Sequence, residues 1–249
     1  MPPSGGQPKY WLIAAQLRED VQSGAYPPGS RLPGENDLMR QFGVARGTAR
    51  QALSTLIGWG IAVSRKGSGI YVRTFAPIIS ERIGRLSESW QAGQSVWSAE
   101  TEGRSFAVDQ VEVGVTDAPE RVRTLLALGD GEQVVMRSRR MAMDGKPVLL
   151  SRSWLPASIA AGTPIAERET GPGGTFARLA DLGYAPVHFR EDVQSRMPDP
   201  DDAVRLEMVP GTPAVEISRT AFDASGRVVE LNEMTADASA YVFRYEFDA

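Results

Sequence analysis

The stretch Phe42-Gly43-Val44-Ala45-Arg46-Gly47-Thr48-Ala49-Arg50-Gln51-Ala52-Leu53 decides how the first part of this chain folds. Gly43 suits the left-handed position just past a helix end, so a helix over about Glu35 to Phe42 stops there. A new helix starts at about Arg46 and runs to Trp59, with Ala49, Ala52, Leu53 and Leu56 on one side at about 100° per residue. Arg46, Gly47, Arg50 and Ser54 fall together on another side. Two short helices joined by a tight glycine turn make a helix-turn-helix unit. Two arginines at i, i+4 near the start of its second helix stand where a recognition helix meets base edges and phosphates. The bland alternative is a pair of solvated surface arginines.

The flanking segments extend the unit. Trp11, Ile13, Ala14, Leu17 and Val21 recur at spacings of three and four and predict a helix over Tyr10 to Ser23, ended by Gly24. Pro28-Gly29 suits the centre of a type II turn, since proline presets φ and glycine accepts a positive value. After the helix-turn-helix, Ile61 to Arg65 and Ile70 to Arg73 alternate around Lys66-Gly67-Ser68-Gly69. That is a hairpin with a basic tip. Helix, helix-turn-helix and β-wing in this order form a winged helix, and a lysine on a narrow wing can enter the minor groove.

The charge distribution agrees with a nucleic-acid partner for this segment alone. The whole chain of 249 residues has a formal net charge of −4, from 27 basic and 31 acidic residues. Residues 1–73 carry nine basic against four acidic residues, and the remainder 18 against 27. A basic head concentrates at phosphate backbones by counterion release, while an acidic body discourages adhesion elsewhere. With no cysteine and one histidine, His188, there is no material for a disulfide scaffold, a thiolate zinc site or a cysteine nucleophile, and scant material for a Ser/His/Asp triad. No cofactor is expected. The apolar runs fall far short of about 20 residues, and Met1 to Pro8 has no apolar h-region, so a cytoplasmic protein without a membrane partner is expected.

The motifs Leu32-Pro33-Gly34-Glu35-Asn36-Asp37-Leu38, Phe42 to Leu53 and Arg65-Lys66-Gly67-Ser68-Gly69-Ile70-Tyr71-Val72 resemble the GntR family of bacterial transcription regulators. The resemblance implies that Arg46 and Arg50 contact operator guanines or nearby phosphates, that Thr48 and Arg31 hold the backbone, and that Lys66-Gly67 enters the minor groove. Asn36 joins this DNA-contact set, where family members often carry arginine or another polar residue. Ala45 stands where the family usually has serine or threonine, which removes a hydroxyl able to cap the recognition helix.

Beyond Arg73 the pattern changes. Thr74 to Ser105 reads as a linker with a helical stretch near Ile83 to Gln91. From Phe106 alternation predicts a strand to Val115, a helix over Pro119 to Ala127, a strand over Gln133 to Ala142, and an Asp144-Gly145 turn into a strand over Pro147 to Trp154. The same order recurs. Asp117 to Val122, Gly129, Val135 to Arg137 and Gly145 to Val148 run parallel to Asp199 to Val204, Gly211, Ile217 to Arg219 and Gly226 to Val229. The offset is 82 residues, falling to 81 at the hairpin, and two such halves predict one antiparallel sheet. Thr175 to Leu182 reads as an intervening helix.

Val134 to Arg139, Asp144 to Val148, Ser153-Trp154-Leu155-Pro156 and Val229-Glu230 through Tyr241 to Phe243 resemble the UTRA effector-binding domain of the HutC subfamily. Members bind small metabolites, often sugar phosphates, between the two halves of the sheet. The fold class is therefore α+β: a winged helix-turn-helix joined to a C-terminal antiparallel-sheet domain similar to the chorismate lyase/UTRA fold. The expected boundaries are 8–73 for DNA binding, 74–89 for a linker and 90–249 for effector binding and dimerisation.

Arg137 and Arg139 share one strand face and could together fork a carboxylate or phosphate, or pair instead with acids on neighbouring strands. By resemblance Glu230 would meet a sugar hydroxyl, and Trp154, in place of the commoner tyrosine, would make the pocket more apolar. Relatives that bind sugar phosphates carry a Tyr-Tyr-Arg-rich stretch where this chain has Met234 to Ala240. The expected function is a homodimeric repressor on an inverted-repeat operator in double-stranded DNA, released by a small anionic effector. A constitutive repressor without ligand, or a chorismate-lyase-like enzyme, are the alternatives.

Overall fold

The computed structural model describes residues 7–65, 67–74, 77–81 and 104–246. The chain divides into two compact units, Met1–Ala76 with Val209–Thr212, and Pro77–Met208 with Pro213–Ala249. The helical stretch read near Ile83 to Gln91 lies outside the described residues.

The first unit holds helices α1 (Lys9–Gln22), α2 (Glu35–Phe42) and α3 (Arg46–Gly58) and an antiparallel hairpin of β1 (Ala62–Arg65) and β2 (Gly69–Val72). Ile13, Ala14 and Leu17 of α1, Leu38 of α2, and Ala49, Ala52, Leu53 and Leu56 of α3 form one buried core with Leu32, Ala62 and Val72. The Pro28-Gly29 turn is closed by Ser30 N donating to Pro27 O at 3.0 Å, with Gly29 at φ +79. At the start of α2 the Asp37 carboxylate accepts from Gly34 N–H at 3.1 Å, and Gly43 ends the helix at φ +59. The first two devices lead into α2, and Gly43 turns the chain from α2 into α3.

The second unit is built on six antiparallel strands in the order β4 (Phe106–Asp117), β5 (Gln133–Met143), β6 (Lys146–Pro156), β9 (Val228–Asp237), β8 (Ala214–Phe222) and β7 (His188–Arg196). Each half is a strand, a short helix and a hairpin, with α4 (Glu120–Leu125) in the first half and α7 (Pro200–Arg205) in the second. The halves join where β6 pairs β9. Two further helices, α5 (Ala157–Ala160) and α6 (Gly174–Asp181), flank a 3-10 turn at Pro164–Ala166 in the crossover. Ile78–Glu81, in the stretch read as linker, form β3, which pairs in parallel with β10 (Tyr241–Arg244).

The internal repeat is real but its register differs from the one expected. The helix ends Leu126 and Leu206, the left-handed residues Ala127 (φ 52) and Glu207 (φ 50), and Gly131 (φ 74) and Gly211 (φ 82) correspond at an offset of 80. Matching residue types had aligned Gly129 with Gly211. Backbone conformation pairs the left-handed positions instead, and the offset becomes 81 only at the hairpin glycines, Gly145 and Gly226.

Candidate nucleic-acid interface and effector site

α3 opens on the surface of the first unit. Its buried side holds the core, so Arg46 and Arg50 must face solvent, and their side chains are 60% and 65% exposed. Both are aimed by α2. Arg50 Nε donates to Glu35 Oε1 at 2.8 Å and its Nη2 to Oε2 at 3.3 Å, while Arg46 Nη2 donates to Asn36 Oδ1 at 2.9 Å. Arg46 Nε lies 3.7 Å from Glu35 Oε2. The Arg50 hydrogen bond and the two neighbouring charges hold the Glu35 carboxyl below its ordinary range. The forked Glu35–Arg50 pair preorganises the guanidinium and leaves its outer edge open to an anion. Glu35 was not singled out from sequence; the signal is an acid opening α2 across the glycine turn from two arginines.

Thr48 stands half-buried on the first turn of α3, and Ala45 leaves that helix without a side-chain cap. Arg31 bridges to Tyr71 of β2, and Gly69 stands at φ +119, a backbone conformation that favours glycine, with Arg31 Nε 2.9 Å from where a Cβ would lie. The wing is braced by a 2.6 Å hydrogen bond between Ser68 Oγ and Tyr71 Oη and by Arg65 over the Tyr71 ring at 4.2 Å. Gly67 sits at the exposed tip at φ +73. Lys66 lies outside the described residues.

In the second unit, Arg137, Ser153, Asn232, Arg219 and Glu191 are successive cross-strand partners from β5 to β7, one polar row across five strands. Arg139 and Glu230 lie on the same face, each two residues from a member of the row. Arg137, Ser153, Asn232 and Arg219 of the row are buried, as is Glu230, with Arg137 and Glu230 each 2% exposed, while Glu191 and Arg139 are half-buried. Neither arginine forms an ion pair with a neighbouring acid among the described residues. Arg137 instead donates through its two terminal nitrogens to the carbonyls of Ile165, Glu167 and Arg168 in the crossover. Arg219 Nε donates to Glu191 Oε1 at 2.7 Å, and Ser151 Oγ donates to Asn232 Oδ1 at 2.9 Å.

Desolvation dominates the electrostatics of this row. Burial, then the charge of Arg139, lowers Arg137 to about 10 against the pull of Glu230. Burial likewise lowers Arg139 and raises Glu230, whose carboxylate is favoured in turn by the Ser153 hydroxyl and by Arg139, Arg219 and Arg137. The Arg139 Nε is buried without a hydrogen-bond partner. Arg139 with Glu230 therefore offers one unsatisfied donor group beside one acceptor, an arrangement suited to an anion bearing hydroxyls. Arg219 was missed as a site residue, although it is the repeat counterpart of Arg139.

Trp154 does not join this cluster. It pairs with Met136 and Leu231, on the opposite face from Ser153, because strand side chains alternate. There it packs with Val122, Leu126, Val134 and Leu231, and its Nε1 donates to Glu233 Oε2 at 2.9 Å. His188, exposed on β7, lies 5.4 Å from the Phe222 ring.

The first unit matches the model of bacterial regulatory proteins of the gntR family over residues 9–72, and the UTRA domain matches over residues 101–242, more than half of the chain. The chain belongs to the GntR family. Its two domains make it a transcriptional regulator of the GntR–UTRA type, whose winged helix-turn-helix binds DNA and whose UTRA domain binds small effectors. This GntR regulator is 30% identical to the HTH-type transcriptional regulator SCO4628 of Streptomyces coelicolor, over 96% of this chain and 93% of that one. It is 28% identical to the mannosyl-D-glycerate transport/metabolism system repressor MngR of Escherichia coli, covering 86% and 79%. A solved GntR-family transcriptional regulator superposes with a TM-score of 0.69 at 26% identity, with 98% of each chain covered. These relatives are transcriptional regulators rather than enzymes. Among the described residues no helix is long and apolar enough to cross a membrane.

Proposed function

We propose that this GntR regulator is a dimeric repressor that reads an inverted-repeat operator through Arg46 and Arg50, and is released by a small anionic effector held at Arg139 and Glu230. The carrying observation is the aimed arginine pair: two exposed guanidiniums, one turn apart on α3, each oriented by a residue of α2. Asn36 and Glu35 set the direction, Thr48 and Arg31 approach the phosphate backbone, and Lys66-Gly67 at the wing tip enters the minor groove. A symmetric dimer places two such helices in successive major grooves. Effector binding and operator binding oppose each other reciprocally, as linkage requires. The name of MngR, a repressor tied to an anionic sugar derivative, supports both repression and an anionic effector.

Selection from random duplex DNA should return two half-sites about one helical turn apart. On the selected duplex Arg50→Ala should weaken binding by about 1–3 kcal/mol and relax preference at one position of each half-site. Unchanged affinity, specificity and salt dependence would refute the assignment.

A second reading draws on burial in the effector row. With Arg137 bonded to crossover carbonyls and Glu230 buried, a constitutive repressor needs no ligand there. Operator affinity that no anionic metabolite shifts would favour it.

A further inference from the structure

The repeat allows each side chain of one half of the sheet to be compared with its counterpart in the other. On the face away from Arg137, α4 rests on the sheet: Ala118, Val122 and Leu126 pack on Val134, Trp154 and Leu231. At the repeat offsets of 80 in the helix and first strand and 81 in the second strand, the other half differs. Asp202 of α7 replaces Val122, Glu216 replaces Met136, and Thr235 replaces Trp154. No residue within α7 is buried, whereas Val122 of α4 is. Three apolar fillers have become two carboxylates and a hydroxyl. A cavity of about 660 Å³ opens there, bordered by the floor strands β6, β9 and β8 and by α7. Its size falls within the range of small-molecule sites, about 300–1,000 Å³.

The charges of the wall are unevenly satisfied. Among the described residues Arg196 alone faces a cluster of three acids, with Asp202 at 2.9 Å, Glu216 at 2.6 Å and Asp199 at 3.4 Å. Arg121 and the Trp154 indole hold Glu233. Arg152, from the central strand β6, has no acid and no hydrogen-bond partner among the described residues. Arg205 meets only the neutral Gln110 side chain, Nε to Oε1 at 3.3 Å. The lining carries four arginines against five acids, and Arg152 and Arg205 are the guanidiniums in it that meet no carboxylate among the described residues. The hydroxyls of Ser138, Ser218 and Thr235 and the spare carboxylate lone pairs of Glu216 and Asp192 complete the wall and can accept from ligand hydroxyls.

We propose that this cavity is a second ligand site of the UTRA domain, taking a small hydroxylated carboxylate of the sugar-acid class. Arg152 and Arg205 hold the carboxylate, and the serines, Thr235 and the wall acids bond the hydroxyls. The site lies on the opposite face of the sheet from Arg139 and Glu230 and uses neither of them.

The test is calorimetric titration of the full-length protein with D-gluconate, with D-glucitol as the uncharged counterpart. Gluconate should bind saturably and glucitol should not. Thr235→Trp, which restores the side chain of the other half, should abolish gluconate binding without lowering the melting temperature. Arg152→Gln should weaken it by at least about tenfold, the loss expected for one charge-assisted fork. Absence of saturable gluconate binding overturns the proposal, as does binding indifferent to both substitutions. Binding lost in Arg139→Ala but kept in Arg152→Gln places gluconate at the effector row and also overturns it. None of these outcomes bears on operator recognition by α3.

Discussion

Two arginine pairs dominate this molecule, and they are opposites. Arg46 and Arg50 stand one helical turn apart on α3, well exposed, each tied to a side chain of α2. Arg137 and Arg139 stand two residues apart on β5, the first almost wholly buried and tied to backbone carbonyls about 30 residues away. An exposed guanidinium keeps its hydration and meets a polyanion at little cost. A buried one has lost its water, so every donor needs a partner from the protein or a ligand. The same side chain is therefore suited to long-range attraction when exposed and to shape-selective bonding when buried.

The contrast can be broken at its buried end first. Arg137→Ala removes the donors of three carbonyls at the crossover and should cost on the order of 3 kcal/mol of stability, since each orphaned buried group costs about 1–3 kcal/mol. Thermal unfolding reads this directly; a melting temperature equal to that of the parent would show that the crossover does not depend on Arg137. At the exposed end, Glu35→Gln frees Arg46 and Arg50 from their carboxylate. Affinity for non-specific duplex should rise a few-fold and the salt slope should steepen by about one, measured by fluorescence anisotropy at several salt concentrations.

Smaller effects sharpen the comparison. Ala45→Ser supplies the missing cap of α3 and should stabilise the chain by about 0.5–1 kcal/mol, visible in urea unfolding. Glu230 gives a pH signature. Its carboxyl is held above the ordinary 4.5 by burial, so the folded chain binds this proton more readily than the unfolded one. The associated stability is complete below about 4.5 and is lost as pH rises through the raised value. The melting temperature of the parent should therefore fall relative to Glu230→Gln over that interval. Parallel pH profiles for the two proteins would mean that Glu230 ionises as freely as in the unfolded chain.

Much of this was legible in the residues themselves. Periodicity placed α2 at its observed bounds and α3 to within a residue, because the spacing of Ala49, Ala52, Leu53 and Leu56 reports directly which side is buried. The same alternation put Arg137 and Arg139 on one face, and it also determines that Trp154 lies opposite Ser153. The expectation that Trp154 lined the effector site set aside that parity. The repeat was visible, but matching residue types misread it by two positions, since a left-handed backbone is adopted by Ala127 and Glu207 as well as by glycine. The parallel pairing of β3 with β10 had no local signal, as its strands lie far apart in the chain.

The sequence by itself determined the winged helix-turn-helix, the exposed arginines of α3 and the two-halved antiparallel sheet, because each follows from short-range spacing and turn chemistry. Only the tertiary structure decided that Glu35 aims Arg50, that the crossover carbonyls occupy Arg137, and that α7 stands over a polar cavity where α4 fills its own. Hydrogen-bond partners and desolvation depend on which distant segments meet, and local periodicity carries no record of that.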